Sequence, residues 1–503
     1  MGKCISKIFF VSLFLFAELL FAQNNISKIL RKGIEASYSF QLEKADSLFE
    51  NYIENFPQSP YGYHYLSQLH LWYFLGSRDE SERLIYEKYS QIAEKKAEAI
   101  EDKNNNNAGF HFLLGQIYTL RALNKIFLDE RIGALFSSRS AMSEFDKAID
   151  IDSSYYDAYY GIGIFNYTLS FIPSGIRWII SIAGMDADKE KGLENLRRVY
   201  KHGTVMKTEA AFHLAQIYAD YSAQYDSSLI LLDSLTEIYP KNIIFGYEKS
   251  VVLIKNKQLD KAAELLNRIS KFNFNKFPQT NALIYFQLGN IYFYQNKFEF
   301  AIRYYTKFIE QANSLDFVGI AHYRMAICYY FLNKILKSKH ELLLSGQGNE
   351  DIEADNYAKE KSIELFDSWM SKERERVIIA RNNIRAGNYK AVIDSLKYLK
   401  NKKSKTELNK AEAVYLSEAF INIDSIDLAF KILKSINCCD FENEKWIEPY
   451  SELLLSKIYY LKSKYKESNE LLKMADDNND YEFKEELSAR IINLRKKLIR
   501  HLY

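Results

Sequence analysis

Apolar and polar positions along this chain recur with a helical period, and they come in pairs of runs joined by short polar turns. The clearest pair spans Asn281 to Glu310. Its first run reads Asn-Ala-Leu-Ile-Tyr-Phe-Gln-Leu-Gly-Asn-Ile-Tyr-Phe-Tyr. A polar turn at Gln295 to Lys297 follows, and then Phe-Glu-Phe-Ala-Ile-Arg-Tyr-Tyr-Thr-Lys-Phe-Ile-Glu. Apolar residues three and four apart predict two amphipathic helices. Gly289 in the first and Ala301 in the second are small, so antiparallel backbones can approach closely while aromatic rings fill the space around them. One such pair cannot bury its apolar face alone, so the neighbouring sequence should repeat it.

It does. Tyr285, Leu288, Gly289, Tyr292, Ala301 and Tyr305 stand at the spacing of a tetratricopeptide repeat, which this stretch resembles. Earlier in the chain, Gly33, Ala45, Phe49 and Pro57 follow that spacing, and Pro57 ends a helix because it has no amide hydrogen. Pro60 to Ile100 predicts a second pair with a longer second helix, closed by the polar loop Asp102 to Asn107. A third pair carries Phe110, Leu114, Gly115 and Tyr118, then Ala141, Phe145 and Ala148; the distance between its halves predicts unusually long helices. A fourth opens at Ala158, Tyr159, Ile162 and Gly163, and is interrupted by the apolar insertion Ser170 to Gly184 before a helix from Lys189 to His202. Further pairs follow around Phe212 to Pro240, Ala262 to Leu266 and Ala321 to Tyr329. A glycine-containing hinge is expected at Ser345 to Asp351, and pairs resume around Tyr389, Ala411 to Phe430 and Tyr450 to Leu472. Tyr481 to Tyr503 predicts one amphipathic helix, with Leu487, Ile491, Leu494 and Leu498 on one face, suited to capping the array.

The expected fold is therefore all-α: a right-handed α-solenoid of tetratricopeptide-like helix pairs, with an apolar helical insertion and a C-terminal capping helix. Residues 1–22 read as a signal peptide. N-terminal repeats with long helices occupy 23–205, with the insertion at 170–186. Regular repeats occupy 206–348, and C-terminal repeats and the cap 349–503.

A narrower resemblance lies between Phe110 and Gly203. Gly163-Ile-Phe-Asn166, Ser170-Phe-Ile-Pro173 and Gly184-Met-Asp-Ala-Asp188-Lys-Glu-Lys-Gly192-Leu193 stand in the order of three motifs of the tetratricopeptide-repeat-39 and inclusion-body-clearance family. Met185, Ala187 and Lys189 depart from its Phe, Gly and Arg. The resemblance implies the fold and no enzymatic activity. Eukaryotic members of that family are associated with lipid droplets and aggregate handling, a biology an exported member need not share.

Composition narrows the possibilities further. The 503 residues are 48% hydrophobic and 26% charged, which is ordinary for a folded chain, and six prolines leave long runs free for helices. A formal charge of +2 argues against a nucleic-acid binder. Lys3 and Lys7 before the apolar run Ile8 to Phe21, with Ala22 ahead of Gln23, read as a secretory signal; a retained anchor is the alternative. Localisation is therefore expected to be periplasmic, outer-membrane-associated or secreted. Among the cysteines beyond that segment, Cys328 sits in an apolar helix and reads as a buried small hydrophobe. Cys438 and Cys439 read as two free thiols at a helix end.

The eight histidines form no metal-ligand motif. There is no nucleophile elbow, phosphate-binding glycine loop or dinucleotide fingerprint. No enzyme activity, cofactor or metal is expected. His111 reads as a packing residue, Asp188 as a helix N-cap, and the Lys400 to Lys405 cluster as solvated surface. The expected function is a scaffold that binds an unknown peptide or protein in a concave groove, with Phe286, Asn290, Phe293 and Tyr294 as candidate groove residues. The competing reading is peripheral membrane contact through the insertion, carried by Arg177 and Trp178. Burial of the insertion within the array is the favoured alternative, since the segment is too short to span a bilayer.

Overall fold

The computed structural model describes residues 28–101, 106–170, 188–272, 274–312, 314–368, 370–401, 406–436 and 441–502. The expected signal segment, the expected insertion with Arg177 and Trp178, the Cys438–Cys439 pair and most of the lysine cluster at 400–405 lie outside them. Within the described residues the chain forms twenty-four α-helices and no strand. The expected all-α class of tetratricopeptide type is what the molecule adopts.

The helices run in antiparallel pairs, and the small-against-large packing read from the sequence appears in three of them. A Cβ added to Gly33 would lie 2.5 Å from the Phe49 ring, one on Gly115 2.5 Å from Phe145, and one on Gly289 2.6 Å from Tyr305. In these three pairs an aromatic ring of the second helix lies against a glycine of the first, leaving no room for a side chain. The turns between paired helices are equally regular. Asp129, Lys257, Asn296, Asn333, Asp424 and Ser463 each take a left-handed backbone just before a second helix, and Gly387 does so at φ 73°. Only the last is glycine, so the turn is imposed by the packing of the helices it joins.

The chain divides into two units. The first comprises Met1–Ala215, Ile230–Gly246 and Phe272–Thr280. Its early pairs are Lys28–Tyr38 with Leu42–Asn55, Pro60–Ser77 with Glu80–Glu101, Ala108–Phe127 with Arg131–Ile151, and Ala158–Leu169 with Lys189–His202. The third pair has helices of 20 and 21 residues, as its spacing predicts. Later segments of the unit return to the first pairs. Tyr239 stacks on Tyr38 at 5.2 Å, Asn242 donates to the Tyr38 carbonyl at 3.0 Å, and Phe274 and Phe277 pack on Phe40. The family-like residues of the fourth pair are its crossing point. Gly163 and Gly192 face each other so closely that a Cβ on Gly192 would lie 2.7 Å from the Gly163 carbonyl oxygen. Asp188 caps the second helix, accepting from the amides of Glu190 at 3.1 Å and Lys191 at 3.0 Å, as expected.

The second unit comprises Gln216–Leu229, Tyr247–Lys271 and Asn281–Tyr503. One hydrophobic core runs through Ile384, Val392, Leu416, Phe420, Leu433 and Leu454. A second forms where the last helix, Lys484–Leu502, lays Leu487, Ile491, Leu494 and Leu498 against Leu453 and Leu472. Two features of this unit add to what the sequence predicts. The glycine-containing segment 345–351 is fastened to its neighbours: Asp355 accepts the Asn349 amide at 3.1 Å while also accepting those of Phe317 at 2.8 Å and Ile320 at 2.8 Å. The last helix is more than a cap, because its polar face reaches the beginning of the unit. Asn493 donates to the carbonyls of Ser222 at 2.9 Å and Ala223 at 3.2 Å.

Candidate functional site

The second unit contains a cavity of about 390 Å³. Several helices build its wall, and four of them supply most of its charge. Arg324 and Tyr323 come from Val318–Phe331; Arg374, Arg381 and Arg385 come from Lys372–Arg385; Tyr415 and Glu418 come from Glu407–Asn422; Glu486 and Arg490 come from the last helix. Arg374, Arg381 and Arg385 project to one side because residues three, four and seven apart share a helix face. Glu486 and Arg490 do so for the same reason.

The lining is basic and rich in tyrosine. Five arginines (324, 374, 381, 385 and 490) and four lysines (255, 257, 361 and 445) face it, against four glutamates (418, 444, 482 and 486). Six tyrosines also line it, Tyr294, Tyr323, Tyr357, Tyr415, Tyr450 and Tyr481, together with Trp446, which stacks on Tyr415 at 5.1 Å. Several cations are internally matched. Glu418 sits between Lys257 and Arg490, each at 3.4 Å, and accepts from the Tyr450 hydroxyl at 2.6 Å. Arg385 pairs with Glu486 at 2.6 Å, and Glu364 holds both Lys361 and Arg374. Arg324, Arg381 and Lys445 have no carboxylate at ion-pair distance among the described residues, and the Arg324 Nε is buried without an acceptor there.

Electrostatics follow from this imbalance. Burial pushes the Glu418 carboxyl up, but Arg490, Lys257 and the Tyr450 hydroxyl outweigh it and pull it down to about 2. Burial also raises Tyr294, yet the guanidiniums of Arg324, Arg385 and Arg381 reverse the shift and leave its phenol below its ordinary value. A half-buried tyrosine shifted downward marks strongly positive surroundings.

The four residues expected in a groove are brought to one place but do different work. Tyr294 lines the cavity. Phe286 and Phe293 are buried, and Phe286 packs on Phe308 at 5.1 Å and Phe317 at 5.3 Å. They are core, because their helix is enclosed on more than one side. Asn290 is also buried. Its side-chain oxygen accepts from the Tyr305 hydroxyl at 2.8 Å and from Arg324, and its amide donates to Gln287 at 3.0 Å. Asn290 therefore orients an arginine of the cavity and is not free to clamp a peptide backbone.

Sequence reasoning missed the basic residues, since they come from several helices far apart in the chain. Only their spacing within one helix, at 374, 381 and 385, carries a signal. Among the histidines, His111 is buried as expected, and it also faces Glu144 across its pair at 2.7 Å; His322 faces Glu341 in the same way at 2.6 Å. Cys328 is free and fully buried, as its apolar setting predicts. Among the described residues no cluster of His, Cys, Asp and Glu has the arrangement of a metal site, and no helix is long and apolar enough to cross a membrane.

The family model described as Iml2/Tetratricopeptide repeat protein 39 matches residues 83–448. The chain belongs to that family. Its relative in Scheffersomyces stipitis, the inclusion body clearance protein IML2, is 25% identical over 209 residues, covering 33% of this chain and 26% of that protein. The chain thus spans about a quarter of the relative's length. Solved structures similar to this Iml2/tetratricopeptide-repeat-39 chain include a thermophilic TPR protein of Thermus thermophilus. It is 16% identical, with a TM-score of 0.30, over 45% of this chain and 97% of that one. Yeast Tom70 is 12% identical, with a TM-score of 0.33, over 89% and 91%.

Proposed function

We propose that this chain is an exported binding scaffold of the cell envelope, and that its second unit takes a peptide or protein segment bearing acidic side chains. The basic run-in and apolar stretch before Ala22 support export. The observation that carries the binding reading is the cavity itself, with nine cations against four carboxylates and a wall of tyrosines. Tyrosine supplies contact area at low entropy cost, and arginine supplies directional hydrogen bonds, which is the composition of binding hot spots. No bond-making chemistry belongs to this function; Glu418 and Glu486 are engaged in holding the wall together. Membrane contact through Arg177 and Trp178 has no support of this kind, since both residues lie outside those described.

Trp446 in the wall provides the readout. A glutamate-rich peptide should shift tryptophan emission saturably, while the same peptide with glutamine should not. Trp446→Phe should abolish the shift. Equal responses to both peptides, or none to either, would refute the reading.

A further inference from the structure

We infer that the anionic group this cavity recognises is a phosphate monoester, seated on Arg381 and Arg324. The inference rests on the binding reading above and specifies its ligand chemistry.

Arg381 projects from the middle of Lys372–Arg385 into the cavity, half-buried, with the phenols of Tyr357, Tyr415 and Tyr294 as its electrostatic neighbours. Every other arginine of that helix face has a carboxylate partner: Arg374 holds Glu364 and Arg385 holds Glu486. Arg381 has none among the described residues. Arg324 is fixed by Asn290, and its guanidinium carbon lies 5.8 Å from the centre of the Tyr294 ring. Its Nε is buried without an acceptor. The guanidinium groups of Arg381 and Arg324 thus stand in the lining of one cavity without a carboxylate partner among the described residues.

A single carboxylate, with one charge and two oxygens, would balance only one of them. A phosphate monoester carries about 1.5 to 2 negative charges near neutral pH and three acceptor oxygens. Planar guanidinium groups bind such an anion through paired hydrogen bonds. The tyrosine hydroxyls add donors, and the rings of Tyr415 and Trp446, stacked on each other, offer an apolar face to the rest of the ester. The volume sits at the low end of the roughly 300–1,000 Å³ typical of small-molecule sites. It suits one phosphorylated side chain or one small phosphate ester. A folded domain would not fit.

Calorimetric titration of the full chain tests this with four probes: phenyl phosphate, a short phosphotyrosine peptide, phenylacetate and inorganic phosphate. Phenyl phosphate should bind at one site per chain, at least tenfold more tightly than phenylacetate. Arg381→Gln should weaken it at least tenfold while leaving the circular dichroism spectrum unchanged. If that variant fails to fold, Tyr415→Phe serves instead, with a severalfold loss expected. Tighter binding of the peptide than of phenyl phosphate would mark a modified protein as the source; the reverse order would mark a free ester. Either order supports the inference. Three results would overturn it: phenylacetate binding as well as phenyl phosphate, inorganic phosphate binding as well as the esters, or Arg381→Gln without effect. The first of these leaves the acidic-segment reading standing. Silence of all four probes together with the glutamate peptide removes both.

Discussion

At the scale of single residues, the fold depends on a few contacts with no slack. Gly289 lies under the buried, hydrogen-bonded ring of Tyr305. Helix propensity favours replacing glycine, but the ring cannot yield without losing its bond to Asn290. Gly289→Val should therefore destabilise by about 1–3 kcal/mol in thermal melts. Gly346→Ala, where nothing lies within 4 Å of an added Cβ, should change little. Glu418 makes the second prediction. Its carboxyl, 3% exposed, is held at about 2 against an ordinary 4.5. A depressed folded value means stability that is fully present above pH 4.5 and lost as pH falls toward 2. At roughly 1.4 kcal/mol per unit this amounts to a few kcal/mol. Glu418→Gln should be less stable than the wild type at neutral pH, and the two proteins should converge in denaturant midpoint as pH approaches 2. Parallel pH profiles would contradict the assignment. Of these residues, Gly289 and Tyr305 were legible in sequence because they repeat at fixed spacing. Glu418 was not, because its partners Lys257 and Arg490 come from distant helices.

At the scale of elements, helix pairing was legible almost throughout, since helical periodicity and the small-large pattern act locally. What a helix does with its polar face was not legible. The final helix shows the difference. Its apolar face was read correctly, and Ile491→Ala should cost roughly 2–5 kcal/mol as a cavity in the core at Leu453 and Leu472. The exposed Lys497→Ala should stay within about 0.5 kcal/mol. Chemical denaturation of the two variants checks both values. Its polar face carries Glu486 and Arg490 to the cavity wall, which the pattern did not foretell because partners distant in sequence meet there. The helix Pro278–Tyr294 shows the converse error. Its aromatics at 286 and 293 looked available for binding, and both are enclosed by neighbouring helices.

At the scale of the whole molecule, a formal charge of +2 conceals a local excess: the cavity lining gathers nine lysines and arginines against four glutamates. Net charge alone could not reveal that. The circular dichroism spectrum should show double minima of helix with no sheet component, and a substantial sheet signal would contradict the fold. The central claim is that the second unit binds an anionic group inside its arginine- and tyrosine-lined cavity. A crystal structure of the full chain grown with phenyl phosphate tests it most directly. The account predicts ligand density within hydrogen-bond distance of the Arg381 guanidinium, enclosed by Tyr294 and Tyr415. Density confined to an outer surface, or an empty cavity at saturating ligand, would contradict it.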